Sequence, residues 1–314
     1  MKIRLGYVSL AKTLDDITTS HTITYTNYIK NNYTVDKLIE ITNLNLNSLK
    51  EILIYNVKNN FHFYRMTSKL VPLATHKNVK FNYIKPMLKK YKEIGNIINK
   101  NKLRVDTHPD QFAVLNSINK EIVNNTIKIL KYHYSILKAF NIKDKIIILH
   151  VGSSVFGKEN SIKRFINNFN LLPSYLKNAI ALENDDKIYN IKDVIQLCEK
   201  CGIPMVLDYH HYLCNNNGEK VEDYLKRIFN TWKKKIPKIH FSSPKNNSKK
   251  DFRSHNDYID SDKFTTFLEI LKKENKDVDI MLEAKAKDYA LTKLVRELKY
   301  KTNYKFIDDS TFII

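Results

Sequence analysis

Six residues able to bind a metal stand where short apolar runs stop: His108, His150, Glu183, Asp208, His240 and Glu283. Two more runs end at Tyr7 and Arg65, so every run finishes in a group that can ligate, titrate or hydrogen-bond. Imidazoles and carboxylates gathered in one place repel, or force costly protonation, unless cations sit among them. Further ligands follow in Asp208-Tyr209-His210-His211 and in His255-Asn256-Asp257. That is more than one ion needs, so the expectation is a cluster of about two or three divalent ions sharing a carboxylate. Imidazole with carboxylate suits Mn or Zn, and the absence of thiolate at these positions argues against a cysteine-type zinc site. A multinuclear centre of this kind suits phosphodiester hydrolysis, because one ion activates water and another neutralises the leaving oxygen. Nothing resembling a serine or cysteine triad is evident.

These residues can meet only if the chain positions them. Eight β-branched or apolar runs read as strands: 3–8, 61–66, 103–107, 145–150, 179–183, 204–208, 238–241 and 279–283. Between them, apolar residues recur at three and four over 35–57, 84–98, 120–140, 161–176, 191–201, 221–234, 262–273 and 289–298, as in amphipathic helices. Ile146-Ile147-Ile148-Leu149 has no polar alternation, which is expected of a parallel strand covered on both faces. Eight such units predict an α/β fold, a (β/α)8 TIM barrel with its active site at the carboxyl ends of the strands. No linker or composition shift divides the chain, so residues 1–314 read as a single domain. The longest irregular stretches, 9–33, 67–83, 209–219 and 242–259, all leave strand carboxyl ends.

The charge sum is 53 Lys and Arg against 33 Asp and Glu, a formal +20, which favours a polyanionic partner. Three cysteines cannot form a fully paired disulfide framework, and no signal-peptide layout opens the chain, so a reducing cytoplasm is expected. No apolar run approaches the ~20 residues of a membrane helix. Cys198-Glu199-Lys200-Cys201 has metal-like spacing but no second pair, and it runs into Gly202, a helix cap.

Several strings resemble the UV damage endonuclease family. They are Arg4-Leu5-Gly6-Tyr7, Phe63-Tyr64-Arg65-Met66-Thr67-Ser68 with Pro72 and His76, His108-Pro109-Asp110-Gln111-Phe112, Leu182-Glu183-Asn184-Asp185, Asp208-Tyr209-His210-His211, Lys238-Ile239-His240-Phe241-Ser242 and Leu282-Glu283-Ala284-Lys285. The resemblance runs from residue 4 to about residue 287, and the ordered set is far more specific than any one string.

It implies a TIM barrel related to endonuclease IV that incises damaged double-stranded DNA immediately 5′ of a lesion, leaving a 3′-hydroxyl and a 5′-phosphate. The lesions implied are cyclobutane dimers, 6-4 photoproducts and often abasic sites. Carried over by motif, the metal ligands are His108, His150, Glu183, Asp208, His211, His240, His255 and Glu283, with Glu183 as the bridge. His108 and His150 would share one ion with Glu183, and His211 and His255 would hold another nearer the loops. His76 is either an outer ligand or a phosphate contact. Mn is the leading metal, with Zn or Co as alternatives.

Catalytic roles fall to Glu183, Asp208, His240, Glu283 and Lys238. Lys238 points inward beneath His240, because residues two apart on a strand share a face. It would pair with a carboxylate such as Asp208, be neutral, or carry a carbamate. The resemblance implies that Gln111 and Phe112 would wedge into the duplex, Phe112 standing where many relatives carry Tyr. Tyr7 and Arg65 are expected at the mouth, in contact with DNA. A cytoplasmic monomer, nucleoid-associated if the source is bacterial, is the overall expectation. An endonuclease IV-like abasic-site enzyme is the nearest rival, followed by a sugar-isomerase-like barrel, which has no use for +20, and by a barrel that binds nucleic acid without cutting it.

Overall fold

The computed structural model describes residues 1–314 as a closed barrel of eight parallel strands ringed by helices. The first half contains β1 (Lys2–Val8), α1 (Tyr25–Lys30), α2 (Val35–Lys58), β2 (Phe63–Met66), α3 (Leu88–Lys100), β3 (Arg104–Thr107), α4 (Lys120–Ala139) and β4 (Ile147–His150). The second half continues with α5 (Lys158–Asn170), α6 (Ser174–Lys177), β5 (Ile180–Glu183), α7 (Ile191–Cys201), β6 (Met205–Asp208), α8 (Tyr209–Cys214), α9 (Glu222–Thr231), β7 (Lys238–Phe241), α10 (Ser261–Lys272), β8 (Val278–Leu282) and α11 (Asp288–Lys301). A hairpin of β9 (Lys305–Phe306) and β10 (Thr311–Ile313) ends the chain. Neighbouring barrel strands pair in sequence order, and β1 closes the ring by bonding both β8 and β2.

The helices form where an apolar stripe can be buried. In α2 the buried positions include Leu38, Ile41, Leu46, Leu49, Ile52 and Leu53, the three-four spacing of one helical face. A capping box of Asn190 and Asp193 starts α7, and Gly202 at φ +66 ends it. The helix expected over 161–176 is instead two, α5 and α6, because Pro173 has no N–H to continue the first. None of these helices is long and apolar enough to cross a membrane.

Side-chain parity organises the barrel interior. Successive strand residues point to opposite faces, and only inward-facing ones can bond across the ring. Arg104 of β3 and Arg4 of β1 both reach Asp279 of β8, Lys238 of β7 reaches Asp106 of β3, and Arg65 of β2 reaches Glu283 just after β8. Thus 104, 106 and 108, or 279, 281 and 283, climb one inner face from an ionic floor towards the mouth. Gly6 belongs to that inner set. A Cβ there would collide with the Phe63 carbonyl oxygen, so glycine is what lets β1 and β2 approach.

Candidate metal centre and active site

Strand ends bring the inward residues together around Glu183, which is buried on β5. One of its oxygens, Oε2, lies 2.9 Å from His108 Nε2 and 4.0 Å from His150 Nε2; Oε1 lies 2.9 Å from His240 Nδ1 and 3.5 Å from His211 Nδ1. Two donor groups result, each compact enough for one cation: His108, His150 and Glu183, and Glu183, Asp208, His240 and Glu283. Glu183 is common to both, the position of a bridging carboxylate.

Local structure aims these donors. Asp208 caps α8, its Oδ1 accepting from the His211 N–H at 2.7 Å, and Asn184 clasps the Asp208 backbone from both sides. The second oxygen, Oδ2, is buried without a partner. His211 donates from Nδ1 to the Asn184 carbonyl at 2.9 Å, and His108 from Nδ1 to the Pro109 carbonyl at 2.8 Å. The opposite nitrogen of His211 stays free and that of His108 turns to Glu183 at 2.9 Å; a ring fixed through one nitrogen on a carbonyl is the arrangement that orients metal-binding imidazoles.

The electrostatics fit a cation. Burial would raise the Glu183 carboxyl, but the imidazoles of His240, His108 and His150 overturn this and hold it well below the usual carboxylate range. Burial lifts Asp208 well above its ordinary value, Glu183 and Glu283 adding to the rise and His211 opposing it. Glu283 is held low by Arg65 and His240 against burial. Burial lowers His150 to about 4, whereas the three carboxylates carry His211 up to about 9 despite its burial. An unpartnered Asp208 oxygen driven towards protonation beside two ionised carboxylates is what a divalent ion would relieve. The residues present therefore fit the expected ions.

The remaining predicted residues are placed unequally. His255 lies 3.8 Å from Glu283 through Nδ1, and its ring is 6.4 Å from that of His211, so both border the cluster without joining a compact donor group. His210 is buried behind His255, its ring edge-on at 5.5 Å. His76 lies outside both donor groups and stacks on Tyr25 at 4.1 Å. Arg65 lines a cleft of about 500 Å³ together with His108, His150, Glu183, His211 and Glu283. Gln111 and Phe112 are exposed on the β3–α4 connection, Phe112 at 75%, beside a second cavity of about 680 Å³ that also touches His150 and His211.

One expectation is corrected and another is sharpened. Tyr7 does not face the mouth: it is buried, with its ring edge-on to Tyr64 and its hydroxyl donating to Asn56 Oδ1 of α2 at 2.6 Å. Its neighbours Gly6 and Val8 are the inward residues, so parity turns Tyr7 towards the helices. Lys238 does point inward, but its partner is Asp106 at 2.5 Å, not Asp208. Asp106 was missed by sequence reasoning. The same two-residue rule that set Lys238 beneath His240 sets Asp106 beneath His108. Asn184, missed as a clasp, immediately follows Glu183, where the strand ladder runs out.

Fold and site define a TIM barrel whose carboxyl-end mouth holds a His and carboxylate cluster suited to divalent ions. The UV-endonuclease UvdE family model matches residues 3–311. A UV DNA damage endonuclease of Bacillus cereus (strain 03BB102) is 41% identical across 99% of both chains. The crystal structure of SacUVDE superposes with a TM-score of 0.87 at 35% identity, covering 95% of this chain and 98% of that one. Endonuclease IV from Thermus thermophilus, at 12% identity and a TM-score of 0.58 over 95% of this chain and 99% of its own, shares the fold. The chain belongs to the UV-endonuclease UvdE family.

Proposed function

We infer that this chain is a metal-dependent endonuclease that hydrolyses damaged double-stranded DNA immediately 5′ of a lesion, leaving a 3′-hydroxyl and a 5′-phosphate. Cyclobutane dimers and 6-4 photoproducts are the proposed lesions, with abasic sites as a further substrate, and residues 1–314 act as one barrel domain. The observation that carries this reading is the buried Glu183 shared by two donor groups on the mouth of a family-matched barrel. The proposed ligands are His108, His150, Glu183, Asp208, His211, His240, His255 and Glu283, and Mn is the proposed metal. Bound there, divalent ions would supply Lewis-acid activation of water and neutralisation of the leaving oxygen.

The chain's own residues do the positioning. Asn184 and the α8 cap hold Asp208 with Oδ2 free. Arg65, fixed by Glu283 at 2.5 Å and lining the cleft, presents positive charge where a phosphodiester would enter. Asp106 anchors Lys238 below the cluster. Gln111 and Phe112 reach solvent to test the duplex, where a ring can replace lost base stacking worth ~1 to 3 kcal/mol.

The test is incision of matched duplexes carrying a photodimer, an abasic site or no lesion, each with Mn²⁺ and with chelator. Incision of the photodimer strand at its 5′ side, lost with chelator and in Glu183→Gln, is expected. Cutting of abasic duplex alone would favour the endonuclease IV-like reading.

A further inference from the structure

The β4–α5 connection, residues 151–157, leaves the barrel directly after His150 and presents Phe156 to solvent at 73% exposure. Its φ of +61 is a conformation that bulky side chains rarely adopt. The surrounding backbone is nonetheless tied down. Ser153 O accepts from Asn116 Nδ2 at 2.6 Å and from the Tyr189 hydroxyl at 2.8 Å, and both of those residues are buried. Val155 O accepts from Arg164 at 2.6 Å and from Ser161 Oγ at 3.1 Å, and Gly157 N donates to Ser154 O at 2.8 Å. A braced loop therefore holds an unburied aromatic ring outward, in an unfavourable backbone conformation, with no role in the core.

Its location suggests the use. The connection packs against the one that carries Gln111 and Phe112: a Cβ on Gly152 would lie 2.9 Å from Val114 Cβ and closer still to Asn116 Oδ1. Two exposed phenylalanines thus stand on touching loops that follow the strand-end residues His108 and His150; Lys187 is exposed on the cavity that Phe112 lines, while Lys158 pairs with Asp193 and Lys163 with Glu159. Six residues of chain reach at most about 20 Å. Phe156 consequently lies within about six base steps, at 3.4 Å each, of the cluster. An exposed ring on a chain of formal charge +20, next to the loop that carries Phe112, matches a nucleic acid, which offers both π-faces and phosphates, better than it matches an apolar protein surface.

Resting on the endonuclease reading above, we propose that Phe156 is a second DNA-stacking residue, which seats its ring on a base or sugar face exposed by distortion of the damaged duplex. Together with Phe112 it grips the duplex at two points near the incised bond.

The experiment uses Phe156→Trp in the full chain. The single native tryptophan, Trp232, is 1% exposed and bonded to the Met205 carbonyl at the barrel floor, so the introduced indole carries the fluorescence response. DNA binding is followed independently by anisotropy of labelled duplex. Photodimer duplex is expected to quench the introduced indole, and undamaged duplex to quench it less. Phe156→Asn, which tolerates positive φ, should raise Kd and KM for damaged duplex on the order of 5- to 100-fold, with a smaller effect on kcat, and Phe156→Tyr should restore binding. If duplex binds and is incised while the indole stays silent and Phe156→Asn binds normally, this inference fails and the endonuclease reading stands. If the wild-type chain neither binds nor incises duplex, both fail.

Discussion

Lys238 and Asp106 form an ion pair at 2.5 Å with neither side chain reaching solvent. Burial draws the ammonium down to about 8 against the pull of Asp106, and the Phe63 ring lies 5.1 Å from the nitrogen. Breaking one side of such a pair strands the other charge. Lys238→Met should therefore cost about 3 to 5 kcal/mol in urea denaturation, whereas Lys238→Met with Asp106→Leu recovers most of it. Equal losses in the single and double variants would show that the pair is not what holds Lys238. Tyr7 belongs to the helix layer, so Tyr7→Phe removes one buried hydrogen bond and costs about 1 kcal/mol. It should leave the ratio of damaged to undamaged incision unchanged. A shifted ratio would return Tyr7 to the mouth.

At the scale of elements, the strand runs were legible because apolar stretches of four or five residues between amphipathic segments have few other readings. All eight barrel strands fall within runs seen in the sequence, extended by at most one residue. Less legible was what lacks a period. Strands of two and three residues, β9 and β10, carry no alternation, and α8 begins on the residue that follows the end of β6. The β3–α4 contact offers a pH prediction. His133 of α4 is buried, shares a hydrogen bond of 2.6 Å with the Thr107 hydroxyl through Nδ1, and is lowered to about 3 by burial, with His108 adding. Its folded value lies below the unfolded value near 6.5, so the unfolded chain takes the proton first. The contribution is whole above pH 6.5 and is lost as pH falls towards 3. Denaturation midpoints at pH 7 and pH 4.5 should differ more for wild type than for His133→Gln, and identical slopes would refute this.

For the whole molecule, a formal charge of +20 coexists with a mouth whose centre is acidic. Divalent cations bound there would relieve three converging carboxylates. Mn²⁺ at about 100 times its Kd should stabilise the fold by about 2.7 kcal/mol, read as a raised Tm that chelator reverses. Asp208→Asn should shrink that gain, and a metal-independent Tm would remove the cluster as an ion site. Affinity for the proposed DNA substrate should fall steeply with salt, the log-log slope approaching about −0.9 for each phosphate neutralised. A flat response would mean that the lysines play no part in binding.

The sequence by itself determined the barrel, the strand ends and the chemical types gathered there, because periodicity and parity are local properties of the chain. His108, His150, Glu183, Asp208, His240 and Glu283 are therefore legible in the sequence as strand-end residues. Only the tertiary structure decided which side chains meet. Lys238, for which its own strand left a carboxylate partner, a neutral state or a carbamate open, was given Asp106 by the ring's closure, while Tyr7, one position out of parity, was turned to α2. Contacts across a barrel depend on how strands are staggered around the ring, and that stagger is a property of all eight strands together.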